Sequence, residues 1–572
     1  MWLNLCRQEH KLCETGKFYT PRRVLDLGDL ELPLNVRLYE PTPGEELEYL
    51  CLSYRWSATP TLQTRKSNIN QHKINIPWDA LPLAFQHVCS VARRLGLRFV
   101  WIDALCLTQD DVAEKALDIA VMDSIFEGAV LTIVSAWADG PEQGLFSDLG
   151  DFTHQEFQGT TPDGAVQTVC VRRRLPHFKG GDLPILNRGW IYQELFLSPR
   201  LVFFLENEIV WQCQEHTECQ CSPYQTVEVW DRTKLRGGFG TRSLRQLNGV
   251  RRVFQDRPPL SLLDANAYWW SHIHEYSMCD LTNPSDKLPA IQGLATRMAP
   301  ELRLGSYIAG MWEKSLIFDL AWYTWDPRPA APGARRASTL SWASIDGPVR
   351  NGSLHLEAWW TPMATVTEII TTPESRGVTN GLRHERITLQ CHVREVSIGF
   401  RPGWGAFVED EEGLPLSFDK NLNSMVLWFD KSAPPKGELL HRFLPDDDRL
   451  LRHAEFTDLN FKTSMTAPRS TRPLVIPMPE DQKNRTFWCA KILQEDERET
   501  DTGRTKVEEI GPGESSARHW QICLVLQRMN NDEYERVGLL PVTKPFYGYN
   551  IPPDIRREMA SEKWERKEIH LV

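Results

Sequence analysis

The chain has 572 residues, of which 41% are hydrophobic and 25% charged, with a formal net charge of −11; that is too long for one hydrophobic core and predicts roughly two to four soluble domains. The acidic balance and the lack of any zinc-finger, homeodomain or RNA-recognition signature set nucleic acid aside as a partner. Thirteen scattered Cys do not form a secreted disulfide scaffold, Arg7, Glu9 and Lys11 come too early for a signal-peptide core, and no apolar run nears the ~20 residues of a membrane helix, so a reducing cytoplasmic location without membrane contact is expected.

Residues 1–46, rich in Pro and Leu, read as an extended entry segment. Residues 47–215 alternate strand-like and helical patterns, which argues for a parallel sheet with flanking helices. Tyr49–Tyr54, Arg98–Ile102 and Ala129–Ala136 are predicted strands, followed by Leu201–Leu205 and Glu208–Cys213. Leu81, Phe85, Val88, Ala92 and Leu95 recur at helical spacing. Residues 111–126 read as a second helix, with Asp110 or Asp111 as its N-cap. The loop-rich stretch 139–187, with one strand near Val166–Val171, is either a lid or a neutral insertion.

Residues 216–330 look mainly helical, with aromatic and aliphatic stripes at Ala265–Tyr276 and Ala309–Trp325. A linker at Ala330–Arg336 leads into an all-β region, 331–572. Its strands are expected at Val366–Ile370, Ile387–Val393, Ser424–Trp428, Thr486–Ile492, His519–Gln527 and Glu535–Pro541. Acidic stretches at Glu409–Glu412, Asp446–Asp448 and Glu495–Glu509 read as solvated loops. There is no nucleotide-binding Gly-x4-Gly-Lys-Ser/Thr loop and no ankyrin, WD or tetratricopeptide repeat.

Three blocks carry the chemistry: Tyr49-Leu-Cys-Leu-Ser-Tyr-Arg-Trp56, Phe99-Val-Trp-Ile-Asp-Ala-Leu-Cys-Leu-Thr-Gln-Asp-Asp111 and Asn187-Arg-Gly-Trp-Ile-Tyr-Gln-Glu-Leu-Phe-Leu-Ser-Pro-Arg200. In each, an apolar run meets a polar and aromatic cluster. In open α/β sheets ligands bind beyond the carboxyl ends of the strands, so Ser53, Arg55, Trp56, Asp103, Gln193 and Glu194 are expected to converge. Glu194 follows Trp190 by four residues, one face of a helix, where a carboxylate beside a ring is partly desolvated. Asp103 either binds a ligand hydroxyl or caps the following helix. Arg200 could orient Glu194. No elbow Gly follows Ser53 and no His stands out as its base, which speaks against a serine hydrolase. Cys213-x2-His216-x2-Cys219-x-Cys221 offers four ligands in tight spacing. Cys6, His10 and Cys13 could add partners, but no metal site is assigned from sequence.

The blocks resemble the fungal heterokaryon-incompatibility (HET) domain pattern of Ser-Tyr-x-Trp-Gly, Trp-Ile-Asp-x-Leu-Cys-Ile-x-Gln-Asp and Arg-Gly-Trp-x-x-Gln-Glu, over roughly residues 47–215. Ser57 replaces the usual Gly. Weaker echoes follow at Asp286–Ala290, Ala309–Trp312 and Ser341–Gly347. The third block also resembles the Trp-Cys-x-x-Glu helix of Toll/interleukin-1 receptor (TIR) domains, whose first strand ends like Ser53-Tyr54-Arg55. That resemblance implies a TIR-like parallel sheet and cleavage of NAD as substrate, with Glu194 as the catalytic carboxylate and no resident cofactor. Trp56 or Trp190 would then stack on a ring, and Arg55 or Arg188 would meet a phosphate. It further implies non-self recognition, innate immunity and regulated cell death, with a protein partner or head-to-tail homo-oligomer. Two alternatives stay open: a non-enzymatic interaction module, and an enzyme reusing the HET scaffold on a small molecule in specialised metabolism.

Overall fold

The structure is a computed structural model. It describes residues 1–13, 19–29, 35–57, 61–147, 155–162, 164–171, 184–220, 259–324, 337–354, 360–371, 385–401, 424–428, 441–442, 444–445, 476–477, 487–495, 521–530, 533–542 and 564–572. The expected linker 330–336, Cys221 and the three acidic stretches, save Glu495, lie outside them. The chain divides into two compact units. The first is formed mainly by Met1–Pro259 with Cys279–Glu301, and the second by Leu260–Met278, Leu302–Glu374 and Asn380–Val572.

In the first unit the strands are β1 (Val24–Asp26), β2 (Arg37–Tyr39), β3 (Tyr49–Ser53), β4 (Phe99–Trp101), β5 (Leu131–Ser135), β6 (Gln155–Thr160), β7 (Val166–Val171), β8 (Arg200–Phe204), β9 (Ile209–Cys213) and β10 (Thr217–Cys219). All but β6 and β7 form one sheet in the order β10-β9-β8-β5-β3-β4-β1-β2. The central run β8-β5-β3-β4 is parallel, and the outer strands are antiparallel. Every residue of β3 and β5 is buried, as expected of parallel strands covered on both faces. From β3 the chain goes to β4 on one side and later to β5 on the other. The reversal opens a crevice at the carboxyl end of β3, where Ser53 sits.

The helices are α1 (Trp2–Glu9), α2 (Ile69–Ile74), α3 (Leu83–Arg94), α4 (Asp103–Cys106), α5 (Val112–Ile119), α6 (Met122–Gly128) and α7 (Gly189–Leu197). In α3 the expected periodicity holds for Phe85, Val88 and Ala92, which are buried, whereas Leu81 precedes the helix and Leu95, its C-cap, is exposed. Gly96, at φ +75°, then takes the left-handed turn past its end. The single helix expected over 111–126 is two. Asp111 caps α5, its carboxylate accepting from the Glu114 N–H at 3.1 Å. The chain then breaks at Val121 (φ −118°, ψ 11°). The break turns Met122, Ile125 and Phe126 into the core, whereas the one buried residue of α5 is Asp118. Residues 1–46 are not merely extended: they supply α1 and the edge strands β1 and β2. The 139–187 stretch carries the β6–β7 hairpin, whose β6 residues are all exposed.

The second unit begins with the expected helix, Leu262–Ser277, capped by the Ser261 hydroxyl on the Asp264 N–H. Residues 309–324 are not a helix. Tyr307–Ile308 and Met311–Trp312 form a hairpin through Ala309 (φ 46°) and Gly310 (φ 90°), the double positive φ of a two-residue turn. A one-turn helix, Leu316–Asp319, and a strand, Trp322–Thr324, follow. Further on, Glu385–Arg401 pairs with Phe487–Glu495, which pairs with Gln521–Asn530, and that with Glu533–Val542. Glu533–Val542 pairs in parallel with Glu565–Leu571, which returns to Glu385–Arg401. These five strands close a barrel lined by Leu389, Cys489, Leu524 and Ile569, all fully buried. Arg536, 1% exposed, donates to the carbonyls of Leu320 and Trp322 and stacks over the Trp322 ring.

Candidate functional site

Ser53 ends β3, Asp103 opens α4 just past β4, and Glu194 lies in the second turn of α7. The Ser53 hydroxyl donates to Glu194 Oε2 at 2.6 Å across 141 residues of sequence. The Trp56 indole N–H donates to Asp103 Oδ2 at 2.7 Å. Arg188, the residue before α7, donates to the Tyr54 carbonyl at 2.6 Å. Its charge favours the ionised form of both carboxyls.

The electrostatics follow from crowding. Burial pushes the Glu194 carboxyl up to about 7, against lowering by the Ser53 hydroxyl and the Arg188 charge, and the Asp103 charge adds to the rise. Burial likewise raises Asp103, opposed by the Trp56 N–H, Arg188, the Tyr54 hydroxyl and the Ala104 N–H. Asp103 and Glu194 are partly buried as residues, and desolvation dominates both shifts. Two acids share one guanidinium and repel each other, so one resists ionising near neutrality. Such a pair can stabilise developing positive charge and exchange a proton near pH 7.

Other nominated residues turn elsewhere. Arg55 makes an exposed ion pair with Asp139 at 2.7 Å, which leaves it at the rim. Gln193 is buried, and its amide oxygen accepts from the Gly293 N–H at 3.0 Å. The Trp190 indole N–H donates to Asp286 Oδ2 at 2.9 Å. Gln193 and Trp190 therefore seat α7 against Asp286 and the helix Pro289–Leu302. Asp110 accepts from the Lys66 N–H, away from the crevice. Arg200 does not meet Glu194: it bonds Cys6 Sγ and the carbonyls of Val130 and Cys13. Of the compact cluster expected over Cys213–Cys221, the described members Cys213 and Cys219 fall in different core clusters. Cys213 packs with the core that holds Cys6 and Cys13, and Cys219 with the cluster around Val210 and Leu201.

Sequence reasoning missed Tyr54 and Asp286. The signal for Asp286 was the repeated family echo at 286–290, and for Tyr54 its place between Ser53 and Arg55. Ser57, in the position usual for Gly, rests its Cβ within 2.8 Å of where a Cβ on Gly140 would stand. Room for the larger side chain thus comes from the facing glycine.

A buried, raised carboxyl alone does not make a site. Burial also pushes Asp319 up to about 6. Yet Asp319 accepts from the Trp312 N–H, the Trp270 indole, the Ser315 hydroxyl and the Asn266 amide. Four donors use its lone pairs in holding structure. Among the described residues, Glu194 Oε2 takes one side-chain donor, Ser53, at the carboxyl end of β3.

The first unit is thus an α/β domain with paired carboxyls at the switch point of a parallel sheet. Residues 49–194 match the family described as heterokaryon incompatibility protein (HET), so the chain carries a heterokaryon-incompatibility domain and has a function of that general kind. The match begins at the first residue of β3 and ends at Glu194. No curated protein and no solved structure matches the chain. Among the described residues, no helix is long and apolar enough to cross a membrane.

Proposed function

We propose that the HET domain cleaves the nicotinamide–ribose bond of NAD, with Glu194 as the catalytic carboxylate, in a fungal cell-death response to non-self. What supports the reading is one observation above all: Glu194, raised to about 7, takes a hydrogen bond from Ser53 beside Asp103 and Arg188 at the carboxyl end of the parallel strands. Breaking the bond sends its electron pair to the cationic pyridine nitrogen, so nicotinamide leaves neutral and needs no strong acid. Positive charge then develops on the ribose, where ionised Glu194 stabilises it. Water adds to the ribose carbon and gives up a proton, leaving ADP-ribose. Ser53 fixes the carboxylate, and Arg188 meets a phosphate.

The test is nicotinamide release from NAD by the purified full chain, assayed dilute and concentrated. Glu194→Gln should lower turnover by roughly 10³-fold, the scale of losing one electrostatic stabiliser. Asp110→Ala should stay within about twofold of wild type. Turnover that survives Glu194→Gln would remove Glu194 from the chemistry. No turnover at any concentration would favour the interaction module.

A further inference from the structure

Outside the crevice, the first unit gathers four metal-binding side chains from opposite ends of the domain. Ligand atoms of Cys6, His10, Cys13 and Cys213 lie within 4.8 Å of one another. Cys6 lies in α1, and His10, four residues on, caps it with its N–H on the Cys6 carbonyl. A 3-10 turn, Lys11–Cys13, then brings Cys13 back, its N–H on the His10 carbonyl at 3.3 Å. Cys213 comes from the end of β9, its Sγ 3.3 Å from His10 Nδ1. The three sulfurs are nearly fully buried and none forms a disulfide.

We propose that Cys6, His10, Cys13 and Cys213 form a tetrahedral structural zinc site. Three thiolates and an imidazole are a standard closed zinc set, and Zn–S bonds near 2.3 Å put neighbouring sulfurs about 3.8 Å apart. The observed spread contracts to that with small side-chain shifts. A second, independent observation is Arg200. It pairs directly with Cys213 across β8–β9 and donates to Cys6 Sγ at 3.2 Å. It is 6% exposed, and among the described residues no carboxylate partners it. A buried guanidinium needs a counter-charge. Zinc with three thiolates and a neutral imidazole carries net −1, which Arg200 cancels. His216 stands beside the site, its ring 6.3 Å from that of His10 and its carbonyl on the Cys213 N–H. The metal would pin the N-terminal segment to β9.

Metal analysis of the full chain, purified from zinc-supplemented cells without chelator, is expected to give about one zinc per chain. Cys13→Ser and Cys213→Ser should each lower bound zinc at least about tenfold, while Cys219→Ser, belonging to the other core cluster, should keep it. Because the ligand variants can misfold, wild-type protein exchanged with Co²⁺ supplies a mutation-free readout: thiolate charge-transfer absorption with the intense visible bands of a tetrahedral site. Zinc-free wild-type protein giving no such cobalt spectrum would overturn the proposal. So would a Cys6, Cys13 or Cys213 disulfide in the freshly isolated chain, or zinc lost from Cys219→Ser but kept in Cys213→Ser.

Discussion

At the scale of single residues, Glu194 links chemistry to stability through one proton. Its folded-state value, about 7, lies above the ordinary 4.5. Between these values the unfolded chain has released the proton and the folded one has not, so stability falls as pH rises from about 5 to 8. The full excursion is about 3 kcal/mol. Asp319, raised to about 6, acts in the same direction at slightly lower pH. Chemical denaturation across pH should therefore show Glu194→Gln flattening the upper part of the decline and leaving the lower part. If charge stabilisation by Glu194 drives turnover, kcat/KM for NAD should climb with pH through about 7, opposite in sign to stability. A rate insensitive to pH in that window would disconnect the two.

At the scale of elements, α7 is the piece on which the crevice depends. It is apolar nearly all round, with Ile191, Tyr192, Leu195 and Phe196 buried, and its polar residues serve as anchors. A Cβ on Gly293 would fall 2.5 Å from Asp123 Cβ and 2.8 Å from Gln193 Oε1. Gly293→Ala must therefore push Gln193 aside. We expect a loss of about 1–3 kcal/mol by thermal or chemical unfolding, with lower turnover from a displaced Glu194. Unchanged stability would mean that the helix Pro289–Leu302 can slide at no cost. The first two blocks were legible because each couples an apolar run to a polar stop, which burial of a parallel strand imposes on sequence, and the third because its apolar residues are interrupted by Gln193 and Glu194. The strands β1 and β2 were not, since three residues carry too little periodicity. The hairpin at Ala309–Gly310 was hidden by the same aromatic content that suggested a helix.

At the scale of the whole molecule, the sequence announced a parallel sheet and a C-terminal β region. It could not announce closure of the five-stranded barrel, which rests on pairing between residues as far apart as Ile387 and Leu571. Nor could it join Cys6 and Cys13 to Cys213, because proximity across two hundred residues leaves no local trace. Residues that look like loose spacing thus became neighbours through β9, while Cys213 and Cys219, six residues apart, fell in two different core clusters.

The first unit is also discontinuous: Cys279–Glu301 belongs to it although Leu260–Met278 does not. Asp280 accepts the Gly189 N–H, Asp286 the Trp190 indole, and Gly293 donates to Gln193. The stretch bounded by the family match is therefore not an excisable module. A recombinant fragment stopping at residue 220 would leave α7 with its anchors empty and an apolar flank in water, and limited proteolysis should cut it around 187–197, where the full chain resists. Anyone testing the isolated fragment would be assaying a keystone with its arch removed.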